Sequence, residues 1–214
     1  VFGITDTPVY WWRGATQGAY FHVPDLPGVL PHTSSLPPEV ALLALAAVGV
    51  PAPEALGLLD HLAGLLVMVS DKGSGRVSAW PDGRAKISYD FDPDDVERVK
   101  RGMVASARVL LAGGARRLFC AVAGAGMVDS PEAMEAALST KTIRDFTLYA
   151  SHPMSSCRMG VDPATSVIRA DGRAHAVDGL YLADSSIFPT SLGVNPSITT
   201  MAMATIIGRG LALG

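Results

Sequence analysis

Hydrophobic and polar positions along this chain follow first a strand rhythm and then a helix rhythm. Residues 62–70 run apolar almost without interruption, as a buried strand does. Asp71-Lys72-Gly73-Ser74-Gly75 reads as a turn. Residues 76–80 and 84–91 form the arms of a hairpin around Pro81-Asp82-Gly83. Asp92 then caps a long helix. Pro93 takes its first position, and Asp94, Asp95 and Glu97 complement the dipole in its first turn. Val96, Val99, Met103, Ala107, Leu110 and Leu111 recur at helical spacing and predict its buried stripe, and Gly113-Gly114 stops it. A strand is expected over 118–122. Ser130-Pro131-Glu132 starts a second helix that runs to about residue 138. Residues 197–213 predict a final helix of small and medium side chains.

The remaining segments are less regular. Residues 1–25 mix Tyr10, Trp11, Trp12, Tyr20 and Phe21 with glycine and proline, which predicts short strands and loops. Ordinary core packing is the favoured fate of these aromatics, and the wall of an apolar cavity is the functional alternative. Residues 40–53 carry no charge but are too short to span a bilayer and end in prolines, so a buried helix is expected. A lid or interfacial contact is the sharper alternative. Val167-Ile168 and residues 174–177 flank an Asp171-Gly172 turn, and residues 180–183 read as a strand. There is no repeat and no low-complexity linker. The pattern is α+β: strand pairs first, then a tail that behaves as a separate unit.

Composition narrows the picture without deciding it. The 214 residues suffice for one large or two small domains, and 49% apolar content fills a core. A net charge of −3 offers nothing to a polyanion, so no nucleic-acid partner is expected. Cys120 and Cys157 make neither a disulfide framework nor a zinc site, although a single bridge between them stays open. The first residues show no leader pattern and no initiator methionine, as expected of a fragment or a processed piece.

The chemistry concentrates in the tail. His152 precedes Pro153, which places it in a loop, and an imidazole that titrates near neutrality can take and return a hydroxyl proton. A lone loop histidine is more often structural. His22, His32, His61 and His175 have no partner at metal spacing, so no metal site is proposed. Asp184, Ser185 and Ser186 raise a Ser/His/Asp arrangement, but no Gly-x-Ser-x-Gly elbow is present. Gly124-Ala125-Gly126 begins a dinucleotide fingerprint that lacks its third glycine. Asn195 reads as an N-cap with Pro196 in the first turn, and such a helix start attracts negative charge.

Taken together these segments are more specific. His152-Pro153-x-x-x-Cys157-Arg158-Met159-Gly160, then Gly179 through Thr190, then Gly193-x-Asn195-Pro196-x-x-Thr199, resemble the carboxy-terminal signature of the glucose–methanol–choline (GMC) family of flavin oxidoreductases. Upstream, Trp12-Arg13-Gly14-Ala15-Thr16-Gln17, the Asp71–Val77 stretch and Ala112-Gly113-Gly114-Ala115-Arg116 look like the substrate domain of long-chain alcohol oxidase-like members. The resemblance implies FAD and oxidation of an alcohol to an aldehyde or ketone by hydride transfer to flavin N5, with dioxygen or another acceptor reoxidising the flavin. It implies that His152 is the catalytic base and Asn195 the second active-site residue. Asp184, Ser185, Asn195, Pro196 and Thr199 would border the cofactor. It divides the chain into a substrate-binding domain over 1–150, built on an antiparallel sheet with helices, and a signature segment over 151–214. That strand–helix tail would return to a Rossmann-like FAD-binding domain largely missing from this chain, whose N-terminal portion is the natural partner. The apolar stretch 36–69 leans the substrate toward a hydrophobic alcohol. A non-catalytic partner subunit that kept the fold is the alternative. One departure stands out: the usual Gly-Thr before Cys157 is Ser155-Ser156, and losing the glycine bears on the loop backbone.

Overall fold

A computed structural model describes residues 1–13, 16–35 and 37–213. Gly14 and Ala15 of the Trp12–Gln17 motif, and Leu36 at the start of the apolar stretch, lie outside the described residues. The chain divides into two compact units, one of residues 1–72 with 91–148 and one of residues 73–90 with 149–214.

The first unit is a five-stranded antiparallel sheet between helices. Its strands are β1 (Phe2–Thr5), β2 (Val29–Thr33), β3 (Leu62–Val69), β6 (Ala115–Phe119) and β7 (Met127–Val128), in the order β2-β3-β1-β6-β7. β1 is central, pairing Phe2 with Gly64 on one side and with Phe119 on the other. Alternation along β1 then feeds two cores. Phe2 and Ile4 join Leu62 and Phe119 beneath Ala41, Leu45 and Ala55. Those three come from two short helices, α1 (Pro38–Ala47) and α2 (Ala52–Leu58). On the other face Leu65, Leu118 and Val122 meet Met103, Ala107 and Leu110 of α3 (Pro93–Ala112), with Met134 and Leu138 of α4 (Pro131–Ser139) behind them.

The helix starts follow their local chemistry. Asp92 accepts the Asp94 amide at 2.8 Å, and the Ser130 hydroxyl accepts the Ala133 amide at 3.2 Å. Gly102 sets how closely α3 approaches the sheet: a Cβ there would stand 2.5 Å from a Val67 methyl and 2.8 Å from one of Val29. The buried face of α3 is accordingly Asp95, Gly102, Met103, Ser106, Ala107 and Leu110, while Val96, Val99 and Leu111 are only partly covered. Asp95 is buried because it is satisfied. It accepts the Lys72 amide at 2.6 Å and an Arg98 Nη1 at 2.8 Å, and Arg98 donates onward to the Ser70 and Pro27 carbonyls.

Four expectations need correction. The uncharged run 40–53 is two helices, because Gly49 takes a left-handed φ of 86° and Pro51 fixes a new start, and Val40 and Leu43 remain exposed. The strand expected at 118–122 is β6 at 115–119, since the chain enters the ladder directly after Gly114. Of the early aromatics, only Trp11 and Phe21 pack against the cores, whereas Tyr10, Trp12 and Tyr20 are exposed. The Asp71–Gly75 turn is shorter than expected, because Ser74 and Gly75 already pair.

The second unit contains a two-stranded ribbon, β4 (Ser74–Ala79) and β5 (Ala85–Asp90), and the tail. The turn is as expected: Gly83 takes φ 83° after Pro81-Asp82, and Trp80 donates to the Arg84 carbonyl at 2.8 Å. Residues 180–183 do not form a strand. Tyr181 makes one isolated bridge to Arg173, and the Asp171-Gly172 bend ends the pairing there. α5 (Ser197–Leu213) has the bounds its composition predicts. Among the described residues no helix is long and apolar enough to cross a membrane.

Candidate active site

The tail has few regular elements, so its segments are held by backbone stitches and one small core. Residues 149–160 form the histidine loop. Its Cys157 amide donates to the Ser186 carbonyl at 3.0 Å and its Met159 amide to the Ile187 carbonyl at 2.8 Å. The Ser185 hydroxyl donates to the Pro153 carbonyl at 3.1 Å, one residue from His152. Loop 149–160 and the 184–188 turn are therefore laced together over their length. Beneath them Ile168, Ala174, Ile187, Phe188 and Ile207 form a buried core, joined by Met154 and Met159 from the loop, Leu192 from the approach to α5, and Met203 from α5 itself. All three motif segments anchor in this one cluster.

His152 is half-buried in the loop. Three of the other histidines are tied to backbone carbonyls, which only accept: His32 Nδ1 lies 3.0 Å from the Thr33 carbonyl, His61 Nδ1 2.8 Å from Thr5, and His175 Nε2 3.1 Å from Gly160. Those nitrogens carry hydrogens and serve the fold. Among the described residues no three or more His, Cys, Asp or Glu side chains gather as metal ligands would.

Asp184 is exposed and caps the short 3-10 turn Ser185–Ile187, accepting the Ser186 amide at 2.7 Å. The Ser186 hydroxyl, and then its amide, favour the carboxylate and hold its pKa below the ordinary aspartate range. Asp184 thus enters neutral solution as a fixed negative charge. Ser185 spends its proton on a carbonyl rather than on an imidazole, which speaks against a hydrolase-type nucleophile.

The cap of α5 lies one residue later than the Asn195 N-cap reading predicts. Thr200 N–H donates to the Pro196 carbonyl at 2.8 Å, so Pro196 holds the cap position and half-buried Asn195 lies just outside it. The amides of Ser197, Ile198 and Thr199 precede the first helical bond. Thr199 is exposed, whereas the adjacent Thr200 buries its Oγ1 with no hydrogen-bond partner among the described residues. Thr200 is the residue that motif reading passed over. Its signal was a second threonine in the first turn, about 100° round the helix from Thr199. First-turn amides that precede the helical ladder and a hydroxyl with no partner among the described residues make this end of α5 fit an electron-rich edge of a bound group.

Ser155 occupies the left-handed region at φ 66°. The loop backbone therefore keeps a conformation natural to glycine although the residue is serine.

Residues 72–204 match the family model described as GMC oxidoreductase. An uncharacterised GMC-type oxidoreductase of Mycobacterium tuberculosis is 31% identical over 208 residues, covering 96% of this chain and 33% of that protein. A long-chain-alcohol oxidase of Arabidopsis thaliana is 28% identical over 214 residues, covering 96% of this chain and 27% of that protein. The crystal structure of pyridoxine 4-oxidase from Mesorbium loti shares the fold with a TM-score of 0.58 and 24% identity, covering 87% of this chain and 34% of that one. The chain thus spans about a third of the length of the curated relatives it matches.

Proposed function

Because this chain belongs to the GMC oxidoreductase family, we propose that it is the carboxy-terminal portion of an FAD-dependent enzyme that oxidises an alcohol to an aldehyde or ketone. The observation that carries this reading is the shared core under the three motif segments, which gathers the His152 loop, the Asp184 turn and the start of α5. The family is generally FAD-dependent, and the electron-demanding start of α5 fits the pyrimidine edge of a flavin. Asn195, Pro196, Thr199 and Thr200 would hold that edge, with Asp184 and Ser185 beside it. FAD, when bound, supplies the hydride acceptor at N5.

This chain's own work is acid–base chemistry and positioning. The His152 imidazole accepts the substrate hydroxyl proton as the carbinol C–H bond breaks. The Asn195 amide orients that hydroxyl by donating or accepting, and so fixes which hydrogen faces the acceptor. The half-buried setting of His152 limits competing water. The apolar stretch 36–69 leans the substrate toward a hydrophobic alcohol. Dioxygen or another acceptor completes the cycle.

The partner is the N-terminal FAD-binding portion. Ile198, Met201, Ile206 and Leu211 of α5 are exposed. Their helix also buries Ile207, so it is apolar on several sides, as helices inside larger proteins are. The test uses this chain joined to its upstream coding sequence. That protein is expected to be yellow and to bleach anaerobically with alcohols, faster along a series of rising chain length. His152→Ala should slow bleaching about 10²–10⁴-fold. Equal bleaching removes the base assignment, and a yellow protein that no alcohol bleaches points to a non-catalytic subunit.

A further inference from the structure

The segment between the histidine loop and the Asp184 turn forms an open groove that the proposed chemistry does not use. Gly160, Val161, Pro163, Arg169, Ala170 and His175 line it, and its volume is about 440 Å³. Its backbone is fixed. Ile168, next to Arg169, is fully buried, the Gly160 amide donates to the Ile168 carbonyl at 2.9 Å, and the Arg169 amide donates to the Arg173 carbonyl at 2.8 Å. His175 Nε2 lies 3.1 Å from both the Gly160 carbonyl and the Ser166 hydroxyl, and that hydroxyl gives its own proton to the Asp162 carbonyl at 2.6 Å. Nε2 therefore carries the hydrogen, and Ser166 with His175 is not a nucleophile with its base. Nδ1 of the neutral ring keeps a lone pair with no partner among the described residues.

The Arg169 guanidinium also has no hydrogen bond or carboxylate partner among the described residues, whereas those of Arg84, Arg98, Arg116 and Arg117 are paired. The acids that flank it in sequence, Asp162 and Asp171, accept the Ala164 and Arg173 amides and are not part of the lining. Val161, 98% exposed, joins Pro163 and Ala170 as apolar wall. We propose that this groove binds a small aliphatic carboxylate, with its two oxygens on the Arg169 fork and its hydrocarbon part against Val161, Pro163 and Ala170. The planar fork matches a carboxylate, and an inorganic anion would leave the apolar walls wet. The inference stands on the groove and not on the cofactor reading.

Isothermal calorimetry of sodium butyrate into this chain, and into the same chain preceded by its upstream coding sequence, tests it. Saturable binding is expected in both, tightening about two- to fourfold for each methylene from acetate to butyrate. Arg169→Gln should weaken it at least about tenfold, and Ala170→Glu, which sets a carboxylate beside the guanidinium, should abolish it. Both positions are exposed, so neither variant disturbs the core. Arg101→Gln, at an exposed position of α3, should leave binding unchanged. Absence of saturable binding overturns the proposal, and so does equal affinity in Arg169→Gln. Inorganic phosphate that binds as tightly as butyrate, with no gain along the acid series, also overturns it, because the groove then only attracts ions. Binding that vanishes in the longer protein does the same, because the groove is then covered. A yellow longer protein that binds no butyrate rejects the groove and keeps the cofactor, and a colourless one that binds it does the reverse.

Discussion

Replacing Ser155 by glycine should stabilise the histidine loop. The residue sits at φ 66° three positions after His152, in a conformation that places its Cβ against the following carbonyl. For an L-residue other than glycine that placement costs about 1–2 kcal/mol. Glycine removes the clash but returns about 0.5–1 kcal/mol to the unfolded chain as entropy. The net gain is about 0.5–1 kcal/mol, a factor of about 2–5 in local opening. Ser155→Ala is the control, because it loses the hydroxyl and keeps the Cβ. Any difference between the two variants belongs to the backbone. The Cys157, Met159 and Gly160 amides report it directly, since they donate to Ser186, Ile187 and Ile168 and are released only when the loop opens. Their exchange should slow in the glycine variant and stay unchanged in the alanine variant. If both variants exchange alike, or if glycine opens the loop more often, the strain argument fails. The loop would then be held by its stitches alone.

Other expectations follow from single contacts. Asp95→Ala removes the carboxylate from the partly buried Arg98 and the Lys72 amide, and should destabilise by about 3 kcal/mol in urea unfolding, the lower end for a broken buried pair. Asp184→Ala should cost about 0.5–1 kcal/mol as a lost cap at neutral pH. Because the folded pKa is depressed, the parent's advantage holds above the unfolded value of about 4 and disappears as pH falls through the folded one, which acid titration of both proteins reads.

What the sequence made legible was local. Asp92 and Ser130 cap where their side chains reach back to the next turn, Gly83 turns where only a positive φ closes the ribbon, and α5 runs as far as its apolar residues do. Each depends on neighbours within about four positions. What was not legible depends on distant partners. Trp11 and Trp12 are adjacent and chemically alike, yet Trp11 is held by a hydrogen bond from its indole to the Leu59 carbonyl while Trp12 stays 48% exposed. Nothing near either tryptophan in sequence distinguishes them. Leu180 and Tyr181 look like a strand, but a strand needs a ladder, and the Asp171-Gly172 bend offers only one bridge.

The site divides along the same line. His152, Asp184 and Asn195 are proposed from fixed spacings within short motifs, and in the structure each stands on a backbone pinned by apolar neighbours. Met154 and Met159 pin the histidine loop, Ile187 and Phe188 pin the acid turn, and Leu192 and Met203 pin the entry to α5. None of these anchors carries chemistry, and each is an ordinary apolar residue that a motif leaves unmarked. Thr200 went unseen for the complementary reason: its signal is a buried hydroxyl with no hydrogen-bond partner among the described residues, a property of packing rather than of spacing. A substitution at an anchor such as Ile187 should therefore disturb flavin retention as much as one at a polar position, although Ile187 is fully buried and touches no substrate. The polar groups decide which reaction the fold supports, and the apolar residues beneath them decide whether those groups arrive together.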